Sequence, residues 1–269
     1  MVLASDQAVL GIFARDQFSA LVLIAIFTAG VFVMIQRARA GVPIPGIRKL
    51  PGIEALEEAV GRSTEMGKPV HYVPGLGDIR DPMTIASFGV LGYVARMAAR
   101  YDVRLIQTNR NAVVYSICEE IVRQGYLEAG RPDSFNPDDI RFMSEAQFAY
   151  CANVVGMLER EKPAAQILYG NFWAEAMIII EQGALIGSIQ IGATAQVHQL
   201  PWFVACCDYC LMGDEMYAAS AYLSKEPIMT GTVVGQDLGK YLCFLLIVLG
   251  VILSTITGST DHFLTQWLR

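Results

Sequence analysis

The chain has 269 residues, 54% of them hydrophobic and only 17% charged, and its 26 acidic against 20 basic side chains leave a net charge of −6. An ordinary soluble domain carries more charge than this, so part of the chain is expected in lipid. The acidic balance argues against a general nucleic-acid binder, because no basic stripe is available to displace counterions from phosphates.

After a short outer segment (1–16), residues 17–36 ("QFSALVLIAIFTAGVFVMIQ") run without a charge for about the length a helix needs to cross a bilayer core of roughly 30 Å. The following "ARA" loosely imitates a signal-peptidase site. The preceding segment is not basic, however, the apolar core is long and arginines follow it directly, so the span reads as a retained anchor. Residues 37–68 form a linker. Pro43, Pro45 and Pro51 make its first part a stiff connector, and "IEALEEAV" (53–60) is a short amphipathic helix candidate.

From residue 69 to 224, strand-sized apolar runs alternate with helical patterns. "PVHYV" (69–73) leads through the loop "PGLGDIRD" to a helix that Asp81 caps and Pro82 opens. "DVRLIQT" (102–108) precedes a helix over 111–127. "DIRFM" (139–143) precedes "SEAQ", which has capping-box form for a helix running to Arg160. "AAQILYG" (164–170), a helix over 174–183, "IGSIQIGA" (186–193) and "WFVACCDY" (202–209) follow, with a last helix over 214–224. This alternation predicts an α/β, Rossmann-like domain: a mainly parallel sheet with helices on both faces, flanked by two transmembrane helices. A connector (225–240) leads to the second uncharged span, 241–260 ("YLCFLLIVLGVILSTITGST"), and a tail (261–269).

Basic residues set the orientation. Arg37, Arg39, Arg48 and Lys49 follow the first span and Lys225 and Lys240 precede the second, against Arg15 and Arg269 at the outer ends. The expectation is a bacterial inner-membrane protein with its main domain in the cytoplasm and both termini outside. A reducing cytoplasm disfavours disulfides.

The loop residues Gly75 and Gly77 lie between a strand and a helix, the context for a phosphate cradle, with Arg80 to attract an anion and Asp78 and Asp81 to repel one. A dinucleotide fingerprint would want a small residue where Arg80 stands, and a tight turn explains the glycines equally well. Beyond the strand ends the topology would also gather Asn109, Arg110, Asn111, Glu145, Asn171, Thr194 and Asp208. These form either a ligand site or a set of caps and turns. His71 is either a general base at the sheet's edge or a core histidine bonded to backbone. "QVHQLPWFVACCDYC" (196–210) concentrates three cysteines, but zinc wants four converging ligands and only Cys207 and Cys210 have paired spacing. As a strand, "WFVACCDY" would point Cys206 and Cys207 to opposite faces. No metal or cofactor is predicted, beyond a nucleotide as the alternative occupant of the glycine loop.

Between Lys162 and Lys225 stand 62 residues without Lys or Arg. A monomer's surface is normally richer in charge, so this half is expected to be covered by self-association. Apolar central strands are the plainer explanation. "GRSTEMGKPVHYVPGLGDI" (61–79), "QIGATAQVHQLPWFVACCDY" (190–209) and "GDEMYAASAYLS" (213–224) together resemble a bacterial family of membrane-anchored proteins known only as a domain of unknown function. The resemblance implies the architecture and no catalytic residue. Two functions stand: a scaffold subunit that assembles with itself, with room for other membrane subunits, or a tethered enzyme or sensor binding a nucleotide or other phosphorylated ligand at Gly75 and Gly77, with Arg80 or Arg110 on the phosphate.

Overall fold

The computed structural model describes residues 8–9, 13–14, 18–41 and 51–257. The prolines at 43 and 45, the basic pair Arg48 and Lys49, and the tail from 261 lie outside them. Two compact units form, Met1–Gly46 with Glu226–Arg269, and Ile47–Lys225.

The second unit holds six strands: β1 (Val70–Gly75), β2 (Leu105–Asn109), β3 (Ile140–Phe142), β4 (Ala165–Asn171), β5 (Ile189–Thr194) and β6 (Tyr209–Met212). All pair in parallel, in the order β3-β2-β1-β4-β5-β6. This is the doubly wound order, in which the chain starts at the centre, winds outward one way, then crosses back and winds the other. The expected α/β class therefore holds, with every strand parallel.

Helices α2 (Pro51–Met66), α3 (Pro82–Tyr101), α4 (Ala112–Glu128) and α8 (Asp214–Ser224) cover one face of the sheet. On the other lie α5 (Gln147–Glu161), α6 (Glu175–Leu185) and α7 (Leu200–Cys206). Asp81 caps α3 as expected, its side chain accepting from Met83 N, and α3 ends on Asp102 in the left-handed conformation. The apolar interior under α5 to α7 includes Val73, Ile106, Tyr150, Met157, Leu168, Phe172 and Phe203, all fully buried. Each such side chain contributes roughly 1.5–3 kcal/mol.

Four local expectations change. The helix expected over 53–60 runs from Pro51 to Met66, because Pro51 opens it rather than preventing it. "SEAQ" is not a capping box: α5 starts after Ala146, and the Ser144 hydroxyl accepts from Ala146 N in a local turn. "WFVACCDY" is not a strand. Pro201 stands at the start of α7, which runs to Cys206, and the last strand is "YCLM". Asp208 consequently lies before β6 rather than at its carboxyl end, where its carboxylate accepts from Gln190 N at 2.7 Å.

The other unit is a helical hairpin of α1 (Phe18–Arg39) and α9 (Pro227–Thr257), with Ala8–Val9 paired antiparallel to Phe13–Ala14. Both Ala20–Arg39 and Pro227–Ile256 are long and apolar enough to cross a membrane. The connector expected over 225–240 is replaced by helix, because α9 runs unbroken from Pro227. This brings in three glycines four residues apart, Gly231, Gly235 and Gly239, which lie against Ile35, Val31 and Phe27 of α1. A Cβ on Gly231 would stand 2.6 Å from Ile35 Cα, and one on Gly235 2.9 Å from Val31 Cα. Only a residue without a side chain allows such an approach. Gly30 meets Leu238 from the other side, whereas Gly250 faces open space.

His71 is neither at the sheet's edge nor bonded to backbone. It lies fully buried in the central strand β1, with Nε2 3.0 Å from Thr108 Oγ1, which in turn lies 3.2 Å from the Tyr150 hydroxyl. Burial, aided by the positive charge of Arg141, pushes its pKa down to about 3. The native ring is therefore neutral, and the unfolded state takes up the proton first. Stability should fall by roughly 1.4 kcal/mol per pH unit on this account as pH drops below about 6.5, until about pH 3. Melting curves of the full chain and of His71→Gln at pH 7 to 4 check this: the variant should lose stability less steeply with acid.

Candidate functional site

The first and fourth strands are followed by α3 and α6, which pack on opposite faces of the sheet, and a crevice opens beyond the carboxyl ends of the two strands. Its floor is a close backbone crossing. Gly75 has φ +86°, and a Cβ there would stand 2.6 Å from Asn171 N and O. Gly170, at φ +154°, lies equally tight against the Pro74 carbonyl. Leu76 N then donates to Asn171 O at 2.7 Å, locking the two strand ends together.

The crevice, about 520 Å³, is lined by Leu76, Gly77, Asp78, Asp81, Arg110, Asn111, Glu145, Asn171 and Trp173. Asn171 Nδ2 donates to Asp81 Oδ2 at 2.6 Å, and Gln196 Nε2 donates to Asn171 Oδ1 at 3.0 Å. Thr194 Oγ1 holds that loop by accepting from Gln196 N. On the opposite wall Arg110 Nε donates to the Glu145 carbonyl at 2.7 Å and Nη1 to the Leu76 carbonyl at 3.4 Å. The guanidinium lies 5.9 Å from the Trp173 ring centre, in cation–π range. Behind Trp173 the fully buried Glu175 carboxylate accepts from Trp173 N at 2.7 Å and from Gln147 Nε2.

Of the residues expected at the strand ends, the fold brings Gly77, Asp78, Arg110, Asn111, Glu145 and Asn171 to this crevice, and Gly75 to its floor. Asn109 is not among the lining residues. It is fully buried and exchanges two side-chain hydrogen bonds with Gln107 on the same strand. Arg80 is exposed beside the crevice, where its backbone N–H donates to Asp78 Oδ1. Thr194 acts through Gln196, and Asn111 caps α4 by accepting from Val113 N and Val114 N.

The chain's own side chains crowd the glycine loop. The space a side chain on Gly77 would fill is taken by Asp81 Oδ2 and Thr84 Oγ1, and Asp81 already uses an N–H of the first turn of α3. A carboxylate therefore occupies the position an anion would need. Trp173 and Gln196 went unrecognised in the sequence. The signal for Trp173 was present, since a large aromatic residue two positions past a buried strand end stands where such folds place ligands.

No cysteine lines this crevice. Cys118 and Cys151 are buried, Cys206 is exposed, and Cys207 and Cys210 are half-buried against the core beneath α5 to α7. Burial pushes the Cys207 thiol far up and Cys210 to about 11, so both favour the protonated form, which neither attacks nor ligates readily. Among the described residues no three His, Cys, Asp or Glu side chains converge as metal ligands.

A family model described as "Domain of unknown function (DUF6754)" matches residues 8–265. No curated protein and no solved structure matches the chain.

Because Asn171 joins three elements through its side chain, Asn171→Ala should cost about 1–3 kcal/mol of stability. Asn171→Asp should cost more, since it sets a second carboxylate against Asp81. Denaturation midpoints of the detergent-solubilised full chain give both values.

Proposed function

The chain belongs to this family, and on that premise we propose that it is a membrane-anchored structural subunit whose copies associate through the charge-poor half of the α/β domain. In this reading α1 and α9 cross a bacterial inner membrane, the domain lies in the cytoplasm and both termini lie outside. Arg37 and Arg39 in the last turn of α1, with Lys225 before α9, support the orientation, since basic residues concentrate on the cytoplasmic side.

One observation carries the reading. The outward surfaces of the neighbouring helices α6 and α7 are largely apolar, with Met177, Ile178, Leu185, Trp202 and Val204 all exposed, Leu185 at 75%, and Glu181 as the exposed charge on α6. They lie within the 62 residues that hold no Lys or Arg. Buried central strands account for missing charge inside the sheet but not on helix surfaces turned to solvent. Monomers seldom show such a contiguous surface, and interfaces favour Trp and Met while depleting Lys.

The crevice supports a second reading, a tethered sensor or enzyme for an anionic small molecule such as a nucleotide. Arg110 is what favours it: two carbonyls and Trp173 hold the guanidinium in place at the topological switch point. The anion would bind at Arg110 rather than at the start of α3.

For the assembly, the detergent-solubilised wild type should have a mass that is a multiple of 29.5 kDa. Ile178→Asp and Trp202→Asp should each lower that mass while changing folding stability by about 0.5 kcal/mol or less, as expected at exposed positions. A folded wild-type monomer refutes the assembly. For the crevice, a nucleotide and sugar-phosphate panel at about a hundredfold excess over Kd should raise stability by about 2.7 kcal/mol, and Arg110→Gln should abolish the rise. A flat panel counts against a ligand of that class.

A further inference from the structure

The glycine seam fixes the level at which α9 stands beside α1. Gly239 lies against Phe27, Gly235 against Val31 and Gly231 against Ile35. The uncharged run of α1 is bounded by Asp16 and Arg37, so its centre falls close to Phe27. Asp237 and Lys240 flank Gly239 and therefore stand within about one helical turn of that centre. The uncharged run of α9 begins only at Tyr241, which offsets the two runs along the hairpin by roughly 16 Å.

No single bilayer position suits both runs. A layer of about 30 Å centred on α1 holds Asp237 and Lys240 near its middle. A layer centred on the uncharged run of α9 leaves the stretch of α1 from about Phe27 onward outside. The first arrangement keeps α1 spanning and asks only that one acid and one base be accommodated.

Those two side chains form an ion pair at 3.4 Å and are 55% and 58% exposed. At 100° per residue they stand across α9 from the glycine seam, on a face shared with Val233 and Phe244. Left against hydrocarbon, such a pair is costly, and ionisable residues within spans almost always face protein or water.

We infer that this face of α9 is where two copies of the chain meet inside the membrane, with Asp237 of each copy close to Lys240 of the other. The inference rests on the membrane-anchored, self-associating reading above. Charge complementarity selects the occupant. Neighbouring copies share one orientation and depth, so Lys240 lies about 4.5 Å along the axis from the Asp237 of a facing copy, within reach of a lysine side chain. The face carries one charge of each sign and so complements itself, as a contact between identical subunits requires.

The test uses the full chain in native membranes with Phe244→Cys in a Cys206→Ser, Cys243→Ser background. Oxidation should give a disulfide-linked dimer. Asp237→Lys or Lys240→Asp alone should lower the crosslinked fraction by about tenfold, a change that corresponds to about 1.4 kcal/mol. The two variants expressed together should crosslink with each other, and the exchange Asp237→Lys with Lys240→Asp in one chain should restore wild-type crosslinking. Equal crosslinking in all variants overturns the inference, as does its absence in a chain that still gives an oligomeric mass; the association through α6 and α7 then stands alone. Release of the chain by alkaline carbonate, or a monomeric mass, overturns the membrane or assembly reading itself.

Discussion

The contact on which the domain depends is the crossing of Pro74-Gly75 and Gly170-Asn171 at the ends of β1 and β4. These are the two central strands, and parallel neighbours that end level would leave their last carbonyls and amides without partners. Here two residues without side chains let the backbones close to hydrogen-bonding distance, and the register shifts as they do. Everything beyond follows from that closure. Leu76 is delivered to the crevice wall, Asn171 is delivered to Asp81, and Asp81 is thereby fixed both as the cap of α3 and as part of the wall.

At the opposite end of the sheet a second polar group sets the outer half. Asp139 is almost wholly buried just before β3, and Arg104 meets it with Nε and Nη2 while Nη1 reaches Glu161 at the end of α5. Arg141 also reaches Glu161. These bonds hold the Glu161 carboxyl below its ordinary range. A buried carboxylate demands such partners, and this one ties β2, β3 and α5 together. The two ends of the domain are thus built differently: the lower end is closed by charge, and the upper by backbone contact and amides, which leaves a crevice open.

Much of this was legible in the sequence. Alternation of apolar runs with helical patterns gives the fold class, Asp81-Pro82 marks its helix start, and position past a strand end picks out Arg110 and Asn171. The failures have physical causes. "PWFVACC" is a seven-residue apolar run, a length at which strand and helix cannot be told apart by periodicity; only Pro201 argued for a helix start. Asn109 was placed by position alone, and nothing in a single strand announces that Gln107 will take up its side chain. The glycine seam was hidden by charge. Asp237 and Lys240 end the uncharged window, so the four-residue spacing of Gly231, Gly235 and Gly239 fell in what read as a connector. Hydropathy places a span by what it excludes, while helix packing is decided by where side chains are missing.

The lengths of the outermost strands bear on how such a domain can multiply. β3 has three residues and β6 four, so each rim of the sheet offers only a few free amides and carbonyls to an incoming chain. Short rims of this kind resist strand addition, the route by which sheets fuse into fibrils. Any contact between copies is thereby left to side chains on helices, contacts that can be saturated, rather than to a continuous ladder that cannot.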